Sequence, residues 1–494
     1  NQLDARAGAR GVASDLGSNW LLARNLNFSK NYLDSIGKVT VADIKRVAGE
    51  YLRPDRLSAS SINPPGSLAK EDKVADESRA GQVQKFTLAN GLRLLVREDP
   101  RLPLVSINAV FRGGLLAETK ENNGITKLFT RALLKGTKTR SAEQIAEQIE
   151  NTGGSISSDS ANNSFGVSVD VMQPDIAKGL EILADVLINP LFPEREVSLE
   201  KQSLLAGIKA EDEQPTSVGR NLVREQLVGT HPYSLRNSGA AGSVSALTPP
   251  QLQAFQKEFV TAKNGVISVF GDVNAAHVKA LVEKYFAALP AGKLAFENPP
   301  VPAPVTASAP VTANLDKQQG IVMLGFLSVP LNDPDRPALE LINEASNDLG
   351  SRFFNRIREK MGLAYFVGAA QFYGLAPGAF IFYLGTDPKK VEPVTKELRD
   401  EVSLLAKDGL SEEELQRARK KLLGGEAIRN QSNEALAAIC AIDELMGTGY
   451  DAFTRRKAEI DKITLDDIRR VAAKYFPSSL SVEATVVPSD KPKK

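Results

Sequence analysis

Near its end the chain reads Thr464-Leu465-Asp466-Asp467-Ile468-Arg469-Arg470-Val471-Ala472-Ala473-Lys474-Tyr475-Phe476, followed by Leu480-Ser481-Val482-Glu483-Ala484-Thr485-Val486. The first stretch begins with a capping threonine and places apolar residues at helical spacing, so it predicts a helix. The second predicts a strand. The same helix-strand pattern occurs at 248–270 and at 40–60. The copies recur about every 210 residues, which is the length of a domain rather than of a solenoid repeat.

The first copy of this pattern comes early. The second and third copies each close a long α/β stretch, whereas only a short stretch precedes the first. We therefore expect residues 1–64 to be the C-terminal end of a preceding domain, whose beginning lies on an upstream segment or on another chain.

Two complete domains are expected after a polar linker at 65–82. Residues 83–290 form the first, and residues 316–488 repeat its order of strands and helices. A Pro- and Ala-rich linker is predicted between them at 291–315. Antiparallel strands backed by long helices, in duplicate, predict an α+β fold.

The first domain opens with a hairpin signal. Strands are predicted at 84–88 and 92–96, and Asn90-Gly91 lies between them. Asn-Gly favours the tight turn of a β-hairpin because both residues tolerate a positive φ.

Composition restricts the class of protein. Of 494 residues, 61 are Lys or Arg and 60 are Asp or Glu, which leaves a net charge of +1. A nucleic-acid partner usually requires a basic excess, so none is expected. No apolar run reaches the length of a membrane helix. The single cysteine, Cys440, excludes an intrachain disulfide and a cysteine-based zinc site, and we expect it to be a small buried hydrophobic residue.

One local string carries a family resemblance. The chain reads Gly124-Ile125-Thr126-Lys127-Leu128-Phe129-Thr130-Arg131-Ala132-Leu133-Leu134-Lys135-Gly136-Thr137. This string resembles the helix that carries the inverted zinc motif His-x-x-Glu-His in the pitrilysin and insulinase-type (M16) metallopeptidases. Further similarity occurs at Phe86–Leu92, Gly113-Gly114 with Glu118, Glu150–Gly154, Asn189-Pro190, His231–Tyr233 and Gly271–Asn274. The resemblance covers effectively the whole chain and implies tandem M16-type (metallohydrolase-like) α/β sandwich domains.

The chemistry of the motif is not kept. The two ligand histidines of the family fall on Lys127 and Arg131, and the glutamate base falls on Thr130. Zinc needs neutral imidazole, thiolate or carboxylate donors, and cationic side chains repel it. The third ligand of the family, a glutamate, falls near Ala206-Gly207, which has no donor side chain. We therefore expect no zinc in this chain.

Other candidate ligands near the motif are interpreted as structural. The chain has two histidines, His231 and His277, and they are not spaced as a ligand pair. His231 is interpreted as a turn residue. Glu211 and Asp212 are interpreted as part of a solvated helix face.

A second candidate site lies in the last domain. In M16 enzymes the non-zinc half supplies an Arg and a Tyr, seven residues apart, to a zinc site built by the other half. Arg358 and Tyr365 have that spacing. Gly362 between them favours a left-handed helix end, so both side chains are expected to project toward one edge. The resemblance implies that Arg358 and Tyr365 are catalytic.

The resemblance therefore implies a function with one alternative. The chain is expected to be the non-zinc half of an M16-type zinc metalloendopeptidase that degrades peptides or small unfolded proteins. Zinc would lie in an upstream half or a partner subunit, and this chain alone would be inactive. The alternative is a non-catalytic scaffold or peptide-binding subunit. The family works in the bacterial periplasm, mitochondria and plastids, and the tandem arrangement favours the periplasm.

Overall fold

The computed structural model of the chain describes residues 9–53, 81–303 and 309–489. The chain divides into two compact units, Asn1–Val74 and Ala75–Lys494. No helix within the described ranges is both long and apolar enough to cross a membrane.

The first unit contributes three helices. They are α1 (Ala9–Ala23), α2 (Phe28–Ile36) and α3 (Val41–Tyr51). Thr40 caps α3, because its hydroxyl accepts from the Asp43 N–H while the Asp43 carboxylate accepts from the Thr40 N–H. This reciprocal pair satisfies two of the backbone donors that a helix start leaves free. The strand predicted after α3 and most of the predicted linker at 65–82 lie outside the described residues.

The second unit contains two α/β domains, and the first is built on six strands. The strands are β1 (Gln84–Thr87), β2 (Arg93–Glu98), β3 (Leu104–Arg112), β4 (Ser155–Ser160), β5 (Ser164–Met172) and β6 (Gly265–Gly271). They lie in the order β1-β2-β6-β3-β5-β4. The helices are α4 (Ile125–Leu133), α5 (Ala142–Glu150), α6 (Ile176–Ile188), α7 (Glu194–Asp212), α8 (Pro215–Val228), α9 (Ala241–Ala246), α10 (Pro249–Phe259) and α11 (Ala275–Tyr285).

The predicted hairpin is present. Strands β1 and β2 pair antiparallel from Gln84 opposite Val96 to Thr87 opposite Arg93. Gly91 has φ of +90°, which glycine adopts at little cost. The turn therefore forms where the Asn-Gly signal predicted it.

The second domain is built on five strands. The strands are β7 (Val311–Leu315), β8 (Gly320–Leu327), β9 (Phe366–Phe372), β10 (Ala379–Thr386) and β11 (Val482–Pro488), in the order β7-β11-β8-β10-β9. The helices are α12 (Arg336–Ser346), α13 (Val391–Asp408), α14 (Glu412–Arg429), α15 (Asn433–Met446), α16 (Ala452–Lys462) and α17 (Leu465–Tyr475). The mixed α+β architecture, with antiparallel-rich sheets backed by helices, confirms the predicted fold class.

One predicted boundary is wrong, and one predicted helix differs in type. The linker predicted at 291–315 runs too far, because its last five residues form β7, which pairs parallel with β11. The helix that was expected to end at Gly362 is present as a π-helix, Phe354–Lys360. A π-helix bonds residues five apart, and hydrophobic spacing does not distinguish it from an α-helix.

The two domains exchange one helix each. Helix α8 of the first domain packs on β8 and β11 of the second, and α15 of the second packs on β3 and β6 of the first. Gly325 on β8 makes this approach possible, since an added Cβ would lie 2.2 Å from Cγ1 of Val223 on α8. Cys440 on α15 is fully buried against the first sheet, as expected of a small hydrophobic residue, and burial raises the pKa of its thiol to about 12. Each sheet is therefore covered on one face by its own helices and on the other by its neighbour's.

Candidate functional site

Helix α4, which carries the altered zinc motif, is held firmly at its start. Gly124 has φ of +97°, and an added Cβ would lie 2.6 Å from Val244. The Glu118 carboxylate accepts from the N–H of Gly124 at 2.8 Å and of Thr126 at 3.1 Å. Burial raises the pKa of Glu118 despite these bonds. Residues other than the altered ligand positions therefore hold the start of helix α4 in place.

An ion cluster lies at the position of the motif. Arg131 Nε donates to Glu200 Oε2 at 2.7 Å, and its Nη2 donates to Ser203 Oγ at 2.7 Å. Lys135 Nζ lies 3.0 Å from the other oxygen of Glu200. Thr130 Oγ1 bonds back to the Lys127 carbonyl of its own helix. The cluster joins α4 to α7 by charge.

Glu200 was not predicted from the sequence. It lies on α7, and nothing in its local pattern separates it from the other charged residues of that helix. Burial by itself raises the pKa of Glu200, but hydrogen bonds from Lys135 and Arg131 outweigh burial and leave the pKa below its usual value. The carboxylate is therefore ionised, and Arg131 and Lys135 balance its negative charge.

The residues of this region do not fit a zinc ion. Two cations occupy the ligand positions, and Glu200 is engaged by one of them. Within the described ranges, no group of three or more His, Cys, Asp or Glu is placed to hold a metal. No step of a reaction is therefore assigned to a metal in this chain.

The other candidate ligands have structural partners. His231 Nδ1 accepts from the Tyr233 N–H at 3.1 Å, so Nε2 carries the proton and donates to the Pro300 carbonyl at 2.9 Å. Burial lowers the pKa of His231. This geometry agrees with the turn interpretation. Glu211 and Asp212 are not a solvated face, since both are half-buried and bind Ser238 and Arg236 respectively.

Arg358 and Tyr365 lie on the segment that leads into β9, the edge strand of the second sheet. Arg358 is exposed on the π-helix, and its guanidinium carbon lies 4.8 Å from the ring centroid of Phe354. Tyr365 is 58% exposed and directly precedes β9, the edge strand. Among the described residues, no carboxylate lies within ion-pair distance of Arg358, so both side chains are accessible to another molecule.

The backbone between the two residues turns sharply. Gly362 has φ of +60°, and its N–H donates to the Arg358 carbonyl at 3.1 Å. Tyr365 is then fixed to the sheet, because its N–H donates to the Gly385 carbonyl at 2.8 Å. The turn predicted at Gly362 is therefore present, two residues after the π-helix ends at Lys360. The catalytic roles of Arg358 and Tyr365 stay predictions.

The fold and this region define a duplicated, peptidase-like pair of α+β domains. The family model for the insulinase family (peptidase family M16) matches residues 93–238, and the model for the peptidase M16 inactive domain matches residues 246–422. The chain belongs to the M16 peptidase family.

Curated relatives and solved structures agree with this membership. The chain is 29% identical over 413 residues to an "uncharacterized zinc protease" of Rickettsia felis, covering 82% of this chain and 97% of the relative. It is 23% identical over 408 residues to the "uncharacterized zinc protease YmxG" of Bacillus subtilis, covering 82% and 98%.

The crystal structure of a peptidase M16 inactive domain from Pseudomonas fluorescens matches with a TM-score of 0.77 at 24% identity, covering 83% of this chain and 99% of that one. A protease from Helicobacter pylori matches with a TM-score of 0.75 at 20% identity, covering 83% and 100%. At these identities the structures support the fold alone.

Proposed function

We propose that this chain is the non-zinc half of an M16 zinc metalloendopeptidase that degrades peptides or small unfolded proteins. The observation that carries the proposal is the contrast between two regions of the molecule. Arg131 and Glu200 close the position of the zinc motif with an ion pair, whereas Arg358 and Tyr365 are both exposed on the segment that leads into the edge strand β9. The compartment proposed for the reaction is the bacterial periplasm.

In this proposal the zinc of the other half supplies the activated water. The guanidinium of Arg358 and the hydroxyl of Tyr365 donate hydrogen bonds to the carbonyl under attack and to the negative charge that develops on it. Preorganised donors of this kind stabilise a tetrahedral intermediate more than the ground state. Both side chains lie on the short segment from the π-helix to β9, which two backbone bonds fix.

The substrate is proposed to add as a strand to a free sheet edge. Strand β9 is partly closed to it, because the Asn347 side chain bonds both the N–H and the C=O of Ala369 at 2.9 and 2.8 Å. Strand β4 is one of the two outer strands of the first sheet, and its residues alternate between exposed and half-buried. Edges of this type bind extended peptides through main-chain hydrogen bonds. We therefore assign peptide addition to β4.

The test of the proposal is turnover by the assembled enzyme. Tyr365→Phe and Arg358→Ala should each lower kcat roughly 100-fold, the effect of removing one oxyanion donor. Each should leave the melting temperature unchanged, because both side chains are exposed. Lys360→Ala, on the same π-helix, is the control and should keep full activity. Unchanged kcat in both test variants would contradict the catalytic role and favour the scaffold alternative.

A further inference from the structure

The helices of the first unit correspond to the last three helices of the chain. Helices α2 and α3 begin at Phe28 and Val41, and α16 and α17 begin at Ala452 and Leu465, so the interval between starts is the same. Helix α1 ends at Ala23 and α2 begins at Phe28, whereas α15 ends at Met446 and α16 begins at Ala452. The two intervals between helices differ by one residue. Thr40 and Thr464 begin α3 and α17 with the same capping box.

The apolar face of α3 is exposed where that of α17 is buried. Ile468 and Val471 on α17 are fully buried, and the helix packs on α12 and α13 of its own domain. Their counterparts on α3, Ile44 and Val47, are 60% and 42% exposed. Identical or similar residues therefore have opposite environments in the two copies.

The second copy of the pattern shows that burial is the rule. Leu252 and Phe255 occupy the same two positions on α10, and both are buried in the core of the first domain. A stripe of apolar residues at helical spacing is the face that a helix turns toward a core. The face of α3 thus has the pattern of a domain-closing helix without its core.

Helix α1 shows the same contrast with α15. Leu436 and Leu445 on α15 are buried against the sheet of the preceding domain. The corresponding residues of α1, Val12 and Leu21, are 40% and 69% exposed. Apolar side chains exposed in this way mark a contact surface.

We propose that the first unit docks on a second pair of M16-fold domains. The apolar face of α3 closes one of those domains, and α1 lies across the sheet of the other, as α17 and α15 do in this chain. Both domains of this chain already have their closing helix, α10 or α17, so the occupant is a different pair. Under the proposed function, on which this inference rests, that pair is the zinc-bearing half.

Site-specific photo-crosslinking tests the docking. The full-length chain, with p-benzoylphenylalanine in place of Val47, is mixed with a zinc-bearing M16 half from the same genome that carries His-x-x-Glu-His. A cross-link to that half is expected. The control places the same group at Lys45, whose counterparts Gln253 and Arg469 are exposed in both other copies. It should give no cross-link.

The outcomes separate the two proposals. A cross-link at Val47 without peptide hydrolysis would support the docking and overturn the proposed function. Hydrolysis by the mixture without a cross-link would overturn the docking and leave the function standing. A cross-link between two copies of this chain would also overturn the docking.

A graft within the chain tests the same surface without a partner. The segment Thr40–Tyr51 replaces Thr464–Tyr475 in the full chain, so that α3 must close the second domain. A cooperative urea transition is expected. The same graft with Ile44→Ser and Val47→Ser should unfold at a clearly lower urea concentration. Equal midpoints for the two grafts would overturn the claim that this face fits an M16 core.

Discussion

At the scale of residues, the chain keeps the frame of a metal-binding helix and changes its charges. Arg131 and Lys135 bring positive charge to the motif, and Glu200 neutralises it across the α4–α7 contact. The carboxylate that could attract a metal ion is already paired with two cationic side chains. The region therefore acts as a structural ion cluster between two helices.

The pH dependence of this cluster can be predicted with its sign. The folded-state pKa of Glu200 is lowered relative to the unfolded value of about 4.3. Its contribution is thus fully present above about pH 4.3 and is lost as the pH falls through the folded pKa. Glu200→Gln should lower the free energy of unfolding by roughly 1 kcal/mol at pH 7, with a smaller loss near pH 3.5.

Urea unfolding at both pH values measures this difference. Glu283→Gln is the control, because Glu283 forms an exposed pair with Lys279 on one helix and should contribute little. A loss for Glu200→Gln that is equal at pH 7 and pH 3.5 would contradict the assigned charge.

At the scale of elements, a buried carboxylate joins two helices of the second domain. Asp335, at the start of α12, accepts hydrogen bonds from Arg470 and Lys474 at 2.8 Å each and from Tyr475 at 3.0 Å. Burial by itself raises the pKa of Asp335, but these three bonds outweigh it and leave the pKa lowered. The contact fixes α17 against the helix layer of its domain.

Asp335→Ala should therefore destabilise the second domain. We expect a loss of about 2 kcal/mol, less than for a fully buried pair, because Arg470 and Lys474 are half exposed and can regain water. Thermal unfolding measures the change, with Asp466→Ala, an exposed residue of α17, as the control. Equal melting temperatures for the two variants would contradict the role of Asp335.

The exchanged helix α15 gives a second prediction at this scale. Leu445 is fully buried, in the apolar cluster that α15 forms with the first sheet. Leu445→Ala should cost about 2–5 kcal/mol, as for other large-to-small core changes. Leu349→Ala is the matched control, since Leu349 is 72% exposed. Urea unfolding of both variants compares them, and similar midpoints would show that α15 does not stabilise the first domain.

Local signals predicted the elements that have local causes. The hairpin at Asn90-Gly91 follows from its turn residues, and helix α17 follows from its capping threonine and its hydrophobic spacing. Strand β7 was missed, because it follows a proline-rich segment and forms only through pairing with β11, far along the chain. The exchange of α8 and α15 depends equally on contacts between distant segments, which local spacing does not encode.

The altered motif and the Arg358/Tyr365 region were likewise predictable from the sequence only in part. The substitutions at Lys127 and Arg131 could be read from the sequence because a motif has fixed spacing. Glu200 could not, since it meets Arg131 only when α4 and α7 pack together. The spacing of Arg358 and Tyr365 predicted the pair. Their exposure depends on the π-helix and on the turn at Gly362, which the spacing alone does not predict.

At the scale of the whole molecule, the chain is a duplicated M16 unit preceded by helices that repeat its own closing elements. The altered motif, the accessible Arg358 and Tyr365, and the exposed apolar face of α3 all support the same proposal. In it, the chain is one half of a peptidase whose zinc lies in the other half.

Hydrolysis of a quenched fluorescent peptide, with bound zinc counted in each sample, tests this account most directly. The chain is assayed alone, the zinc-bearing half alone, and then the two together. The account predicts no zinc and no turnover in this chain alone, and full turnover only in the mixture, with the zinc in the other half. Zinc and turnover in this chain alone would contradict it.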